Sequence, residues 1–460
     1  MRQDGSAPDA RTSHALAGML AVPVLSASTM GRFRALFGVL LFIAVMNDPP
    51  HAQPGELHRN YSWLADWSWV HLVASSAEAC RVLHAISLAL IVLFTVGLWT
   101  RAAYVGLIVG VFASRLVRLQ SSGTHDWDLP LLTLLALTVI PWADGFSLDA
   151  HARRRSAAEE SHAGQLYGLA VWLPGLMLGL SLMAAAYAKL TNGGLAWVTS
   201  GAVKYHFVED AANAPLTWGL WVAASPVASV LLSFGAVLIE GGFICNVFLR
   251  SVWSRLAMGI LGLSLFGGMF VFQGVLWFPW LILFSVFLPW QMLDREKVVL
   301  SERGQLRPWH IVLVAVLVLQ QVLASVTATQ IEPLISDYPM YSLTYDSPEA
   351  FERIRYRKMQ RLLFESGGRN ITENVYAIAN APENLLNVAE DLAVGDPLDG
   401  KSVKMLGRLR EQYKKLFGAD IDSVAVTAER VGFDWQRGSF KPPSRVAIAE
   451  VPLTKLDSLR

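Results

Sequence analysis

Residues 165–190 read QLYGLAVWLPGLMLGLSLMAAAYAKL, and no charged side chain interrupts the run before Lys189. A helix of ~20 apolar residues is long enough to cross the hydrocarbon core of a bilayer. In lipid a helix also satisfies its own backbone N–H and C=O groups, which an open strand cannot do. The stretch therefore predicts a membrane-spanning helix over 165–188 with a lysine at its end. Eight further apolar segments follow the same rule: 31–46, 79–98, 102–119, 127–143, 226–249, 252–272, 275–292 and 308–326. Those at 31–46 and 127–143 are short. Little more than Gln273-Gly274 joins 252–272 to 275–292, so a re-entrant pair there stands beside two full spans. The expected fold is an all-α integral membrane bundle of eight or nine transmembrane helices, followed by a small mixed α+β soluble C-terminal tail.

The composition points the same way. Hydrophobic residues make up 53% and charged residues 16% of 460 positions, and the mean hydropathy is +0.39, more apolar than a soluble core requires. A formal net charge of +1 offers no basic face for nucleic acid. Charges are sparse between 31 and 326 and dense from 331 onward. The chain thus divides into an N-terminal extension (1–30), a transmembrane domain (31–326) and a polar C-terminal domain (327–460). The extension is expected to be disordered or to lie on the surface. Its segment from Ala15 to Ala27 resembles a signal-peptide core, and Met30 is an alternative start. Cys80 and Cys245 both lie in or beside apolar stretches, so the tail has neither a disulfide framework nor a Cys-based zinc site.

Lysine and arginine in short loops mark the cytoplasmic side. With an inside N-terminus and nine spans, Arg32, Arg34, Arg101, Arg153-Arg154-Arg155, Arg250, Arg255 and the run from Arg295 to Arg307 all fall inside. The tail is then outside, whereas eight spans would place it inside. Asn47-Asp48-Pro49-Pro50 stops the first helix. The segment 61–69 is too polar to span; its three tryptophans predict a helix in the headgroup layer, with a loop packed on the bundle as the alternative. In the tail, 347–364 and 402–417 read as helices and 424–428 and 445–451 as strands. No Gly-rich phosphate loop, metal-spaced histidines or nucleophile motif occurs there. A protein substrate or partner docking on the tail stays open.

Ionisable side chains inside spans are costly, so each is a candidate for function. Lys189 ends the span at 165–188. His125 opens the next-earlier one, in Thr124-His125-Asp126-Trp127-Asp128. Arg115 and Arg118 sit one turn apart near the end of 102–119, and Glu240 lies mid-span before Gly241-Gly242. The topology places Lys189, His125, Arg115 and Arg118 at one depth at the outer leaflet, with Glu240 deeper. A desolvated lysine there is suited to general-base work, and a histidine beside it to orienting a substrate or moving a proton. The arginines suit an anionic group, a substrate carboxylate or a lipid phosphate. The plain alternatives are a snorkelling Lys189, a helix-capping His125, arginines held by lipid or by Asp126 and Asp128, and a Glu240 paired inside the bundle.

Four stretches carry a resemblance. They are Arg32 to Phe42, Thr124-His125-Asp126-Trp127-Asp128-Leu129, Trp142-Ala143-Asp144-Gly145-Phe146-Ser147-Leu148-Asp149, and Ala188-Lys189-Leu190 followed by Trp197 and Gly201. Over about residues 31–292 the chain resembles the HTTM (horizontally transferred transmembrane) family, which includes vitamin K-dependent γ-glutamyl carboxylase. The resemblance implies a base at Lys189 and a histidine at His125. It further implies a reduced vitamin K-like quinone as cofactor, whose oxygenation supplies the strong base that removes a glutamate γ-proton before CO2 adds. Two features depart from that pattern: 252–292 contain no histidine, and the tail is far shorter than the carboxylase's luminal region.

Two functions from different classes follow. One is a vitamin K-dependent carboxylase-like membrane enzyme acting on a lipophilic quinone, with Lys189 as general base, His125 assisting, and Arg115, Arg118 and Glu240 binding substrate. The other is a non-enzymatic, membrane-anchored lipid- or quinone-binding or assembly protein. No metal is indicated. A transporter lacks the expected inverted repeat.

Overall fold

The computed structural model describes residues 21–51, 67–119, 126–154, 162–294, 299–300, 305–329, 331, 334–336, 342–345, 347–355, 360–378 and 381–454. Most of the N-terminal extension, residues 61–66 and His125 lie outside these residues.

Strand β1 (Leu25–Ser26) leads into α1 (Ala27–Met46), followed by α2 (Ser68–Ala74), α3 (Ala77–Val96), α4 (Thr100–Arg118) and α5 (Asp128–Ala136). Then come β2 (His162–Gly164), α6 (Gln165–Gly193), α7 (Val203–Glu209), α8 (Trp218–Ala224), α9 (Pro226–Gly242), α10 (Val252–Gln273), α11 (Phe278–Leu281), β3 (Val299–Leu300) and α12 (Pro308–Thr327). Among the described residues seven helices are long and apolar enough to cross a membrane: α1, α3, α4, α6, α9 with its 3-10 extension to Phe248, α10 and α12. This is the architecture of a multi-pass membrane protein.

The opening stretch forms the hub. Helix α6 has 29 residues, about 44 Å at the α-helical rise, and its apolar window is 94% buried. Small residues let neighbours come close: a Cβ at Gly168 would stand 1.7 Å from the Pro23 carbonyl oxygen, and one at Gly179 would meet Ile244. Helices α3, α9, α10 and α12 are only 22% buried over their apolar windows. Their free faces are apolar, with Ile86, Leu231, Phe234, Leu238, Ile260, Val316 and Leu319 all exposed. Such faces are unsuited to water and match lipid.

The two segments expected at 127–143 and 275–292 depart from full-length helices. The first is α5 plus a 3-10 turn at Leu137–Val139, stopped before Pro141; the second is α11 plus a 3-10 stretch at Ile282–Phe287, stopped before Pro289. Proline cannot continue the hydrogen-bond ladder. Leu129, Leu131, Leu134, Trp280 and Ile282 to Phe287 are buried, and irregular backbone is tolerated at membrane depth where protein surrounds it. The first helix starts four residues earlier than expected because Ser26 caps it, accepting from the Thr29 amide at 3.0 Å. Residues 25–30, assigned from sequence to a disordered or surface-lying extension, are packed instead: Leu25 and Met30 are fully buried, and β1 pairs with β2, which pairs with β3.

Hydrogen bonds define one end of the bundle. Ser26 donates to Asp294 (N 3.1 Å, Oγ 2.5 Å), Arg34 to the carbonyls of Trp142 (2.8 Å) and Phe146 (2.6 Å), Thr100 Oγ1 to Asp149 (2.6 Å), and Arg255 to the Val171 carbonyl (3.1 Å). Starting from that end, α4 and α6 both terminate at the opposite one. The connection 194–225 lies there, and so does the tail, since Asn192 donates to Ser342 at 3.0 Å.

The tail is a small α+β unit. After α13 (Pro348–Arg355), a four-stranded antiparallel sheet runs in the order β5 (Arg369–Asn370), β4 (Gln360–Ser366), β6 (Ser423–Arg430), β9 (Ser444–Pro452). Helices α14 (Ala381–Val394) and α15 (Gly400–Phe417) share a core with it around Phe364, Leu385, Leu406, Val424 and Val451. The helix expected over 402–417 and the strands over 424–428 and 445–451 are present. The helix expected over 347–364 ends at Arg355, and its second half contains β4, whose Leu362 and Phe364 point into that core. A hairpin of β7 (Phe433–Asp434) and β8 (Ser439–Phe440) reaches the bundle. There Tyr205, Tyr345, Phe351, Phe433 and Trp435 form one aromatic cluster, with ring centroids 4.9–5.8 Å apart in the contacting pairs.

Candidate functional site

The long helix α6 carries Lys189 near its C-terminal end. Helix α9 carries Glu240 in its last turn before the break at Phe243. Glu240, expected deeper than Lys189, lies within reach of it: the ammonium nitrogen is 2.9 Å from both carboxylate oxygens and hydrogen-bonds to Oε1. Side-chain exposure is 3% for Lys189 and 7% for Glu240, so this lysine points into the bundle instead of snorkelling to headgroups. Its nitrogen also stands 5.5 Å from the centre of the Trp197 ring, within range of a cation–π attraction. Glu240 Oε2 is buried and makes no hydrogen bond beyond its contact with that ammonium.

The pair lines a cavity of about 230 Å³. Its walls are apolar, chiefly Phe207, Ile239, Leu265, Met269 and Phe272, and the polar groups on it are few: Lys189, Glu240, His206, Ser264 and Gln273. Leu232 of α9 and Ser264 of α10 form the rim and are exposed. Nothing lies within 4 Å of where a Cβ on Gly235 would stand, so the glycine leaves the cavity open between α9 and α10. Apolar walls with a few convergent polar groups are the usual character of a small-molecule site.

One member of a second buried pair, His206, lines the same cavity. His206 and Glu209 lie one turn apart on α7, with His206 Nδ1 3.7 Å from Glu209 Oε2 and His206 Nε2 3.2 Å from the Leu343 carbonyl oxygen. Burial pushes the His206 imidazole below its usual range, while Glu209 and the Leu343 carbonyl draw it back up and the Lys189 charge lowers it.

Arg115 and Arg118 do not line this cavity. The anions they hold are the protein's own. Arg115 donates to Asp48 Oδ2 and Asp126 Oδ1, both at 2.9 Å; Arg118 pairs with Asp48; and Trp127 Nε1 donates to Asp48 Oδ2 at 2.7 Å. The network ties the end of α1 to the end of α4 and the start of α5. Of the five candidates, Lys189 and Glu240 are brought together, Arg115 and Arg118 share a separate cluster, and His125 lies outside the described residues. Among the described residues no group of three or more His, Cys, Asp or Glu side chains is placed to hold a metal ion.

Sequence reasoning missed His206, Glu209 and Gln273. His206 and Glu209 carried a readable signal, an i,i+3 His/Glu pair in VKYHFVE, but that segment reads as a polar connection between spans. Compared with known proteins, the chain matches no protein-family model, no curated protein and no solved structure. Function rests on the site.

Proposed function

We propose that this chain is a vitamin K-dependent carboxylase-like membrane enzyme that takes a proton from a lipophilic quinol reaching the cavity from the bilayer, with Lys189 and Glu240 as the acid–base pair. The observation that carries this is a buried amine–carboxylate pair on the wall of an apolar cavity that opens between two lipid-facing helices. The resemblance to the HTTM family supports it by falling on Lys189. The proposed topology has nine passes, with α5 and α11 as the short ones, an inside N-terminus and the tail outside.

The residues present fit a reduced quinone. Phe207, Ile239, Leu265, Met269 and Phe272 would enclose a ring, and Glu240 Oε2 has room to accept from a hydroxyl. In an enzyme of this kind the reduced quinone, with oxygen, supplies the strong base that removes a carbon-bound proton. The protein's part is the first proton. Lys189 and Glu240 share one proton between an amine and a carboxylate and can accept a second. With the shared proton on Glu240, the Lys189 amine is the acceptor; with it on Lys189, the carboxylate is. In either form the positive charge of the pair ends beside the oxygen that loses its proton, where apolar walls leave it unscreened.

A quinone- or lipid-binding protein without turnover is the second reading. It is favoured by the closure of the Lys189–Glu240 pair on itself, which lets the cavity bind without any base. Lys189→Arg separates the two. Guanidinium keeps the charge and the partner but cannot act as a base. Binding of a methyl-naphthoquinone by Lys189→Arg together with loss of quinol oxygenation supports the enzyme. Equal behaviour of wild type and variant in both assays supports the binding protein.

A further inference from the structure

A proton taken up by a buried pair must leave before the next turnover, and the apolar walls offer it few routes. His206 lines the same cavity on the side where the tail packs, and Glu209 stands behind it, one turn on along α7. His206 Nε2 stands 3.2 Å from the Leu343 carbonyl oxygen. A carbonyl only accepts, so Nε2 carries the hydrogen, and in the neutral ring the lone pair lies on Nδ1. That lone pair faces Glu209 Oε2 across 3.7 Å, with both side chains at most 3% exposed. At that distance the two share no hydrogen bond, but a proton taken up on Nδ1 would make an ion pair with the carboxylate.

Among the described residues the charges near His206 include Glu209 on its own helix and Lys189 on α6, which act on the ring. Lys204 turns away to the Ser200 carbonyl at 2.8 Å. Helix α8 carries no charged residue, and Glu240 is the only one on α9. Arg255 of α10 is bonded to Val171 at the opposite end, and Glu352 of α13 accepts from the Phe433 amide.

We propose that His206 and Glu209 form the relay through which the proton accepted at Lys189–Glu240 leaves the cavity, with the Leu343 carbonyl of the tail linker fixing the tautomer that makes it possible. This rests on the cavity being a site of proton transfer. A hydroxyl O–H bond breaks in the cavity and the proton joins the Lys189–Glu240 pair. It moves to His206 Nδ1 as the imidazolium, stabilised by Glu209, and passes to water on the tail side. The Nε2–H bond stays intact and no electrons change hands. In this scheme His206 relays the proton and the Lys189–Glu240 pair takes it from the substrate.

Two measurements on the full chain in lipid nanodiscs test this. The first is 15N NMR of labelled histidine. His206 is expected as the neutral Nε2–H tautomer near neutral pH, with its titration midpoint raised by about one pH unit in Lys189→Met. An Nδ1–H tautomer, or a midpoint that Lys189→Met leaves in place, would overturn the relay. The second is oxygenation of a reduced methyl-naphthoquinone by His206→Gln, whose amide still donates to Leu343 but cannot hold the proton. Its kcat is expected to fall on the order of 10²-fold, with KM within about twofold of wild type, and to recover with added imidazole. Wild-type kcat, or a loss that imidazole does not restore, would overturn the relay. Absence of turnover by wild type itself overturns the enzyme reading, and the NMR result then decides alone whether His206 and Lys189 are coupled.

Discussion

Two charge clusters, one buried and one partly exposed around a buried Arg115, sit at the tail-side end of this bundle, and they differ in what they face. Around Arg115 each guanidinium end meets a carboxylate of the chain, and the Trp127 indole completes the set. The cluster joins α1, α4 and α5. Around Lys189 a single amine meets both oxygens of a single carboxylate, and the next thing on that side is an apolar cavity. Buried ion pairs are weak evidence for stability, because desolvation offsets much of the attraction. What separates a clamp from a site is the space beside it.

That contrast sets the expected effects. At Lys189, both Lys189→Arg and Lys189→Ala should lower quinol oxygenation by about 10²–10⁴-fold, the usual contribution of a positioned acid–base group, with membrane insertion intact. Small amines should partly restore the alanine variant. An arginine variant with wild-type turnover would make Lys189 an anchor. At the other cluster the loss should fall on stability. Arg115→Ala removes the buried guanidinium that bridges Asp48 and Asp126, but Arg118 and Trp127 still hold Asp48 and both carboxylates are partly exposed. The cost should therefore fall below the roughly 3–5 kcal/mol of a fully buried broken pair, at about 1–3 kcal/mol. Thermal unfolding in detergent should move down by several degrees while quinone affinity of the folded fraction stays unchanged. Weakened binding with an unchanged melting temperature would reverse the two roles.

The mouth of the cavity offers a smaller effect. Gly235→Leu places a side chain where nothing stands within 4 Å, so the fold should accept it while the opening narrows. Quinone affinity should drop on the order of tenfold, about 1.4 kcal/mol, and a titration showing no drop would mean the ligand uses another route. The smallest effect is in the tail. Hydrogen bonds from Arg410 hold the exposed Asp420 below its ordinary value of 3.8, and those from Ser402 do the same for Asp399. A carboxyl lowered in the folded state gives stability that is present above the unfolded value and lost as pH falls through the folded one. Acid should therefore loosen the tail only below about pH 4, read by circular dichroism of the strand signal. Loss at pH 6 would point to another titrating group.

Much of the fold was legible because lipid makes a long apolar run nearly unambiguous. The spans at 79–98, 165–188 and 252–272 stand within a few residues of α3, α6 and α10. The runs at 127–143 and 275–292 were misjudged in length because hydropathy does not distinguish lipid contact from protein contact. Pro141, Pro279 and Pro289 were the available warning. The helix expected over 347–364 failed because Leu362 and Phe364 alternate as a strand does, two residues apart facing one core.

The site was half legible. Lys189 and Glu240 stood out as charges in apolar runs, but their pairing depends on how α6 and α9 pack, which spacing along one chain does not specify. Arg115 and Arg118 stood out for the same reason and serve a different end. His206 was passed over because it lies in the connection 194–225, whose polarity reads as loop.

Mass spectrometry of the lipids that co-purify with the wild-type chain and with Gly235→Leu bears most directly on the Lys189–Glu240 cavity as a site for a lipophilic quinone. A quinone-class lipid retained by wild type and depleted in the glycine variant is the expected result. The same phospholipids in both preparations, with no quinone in either, would contradict it.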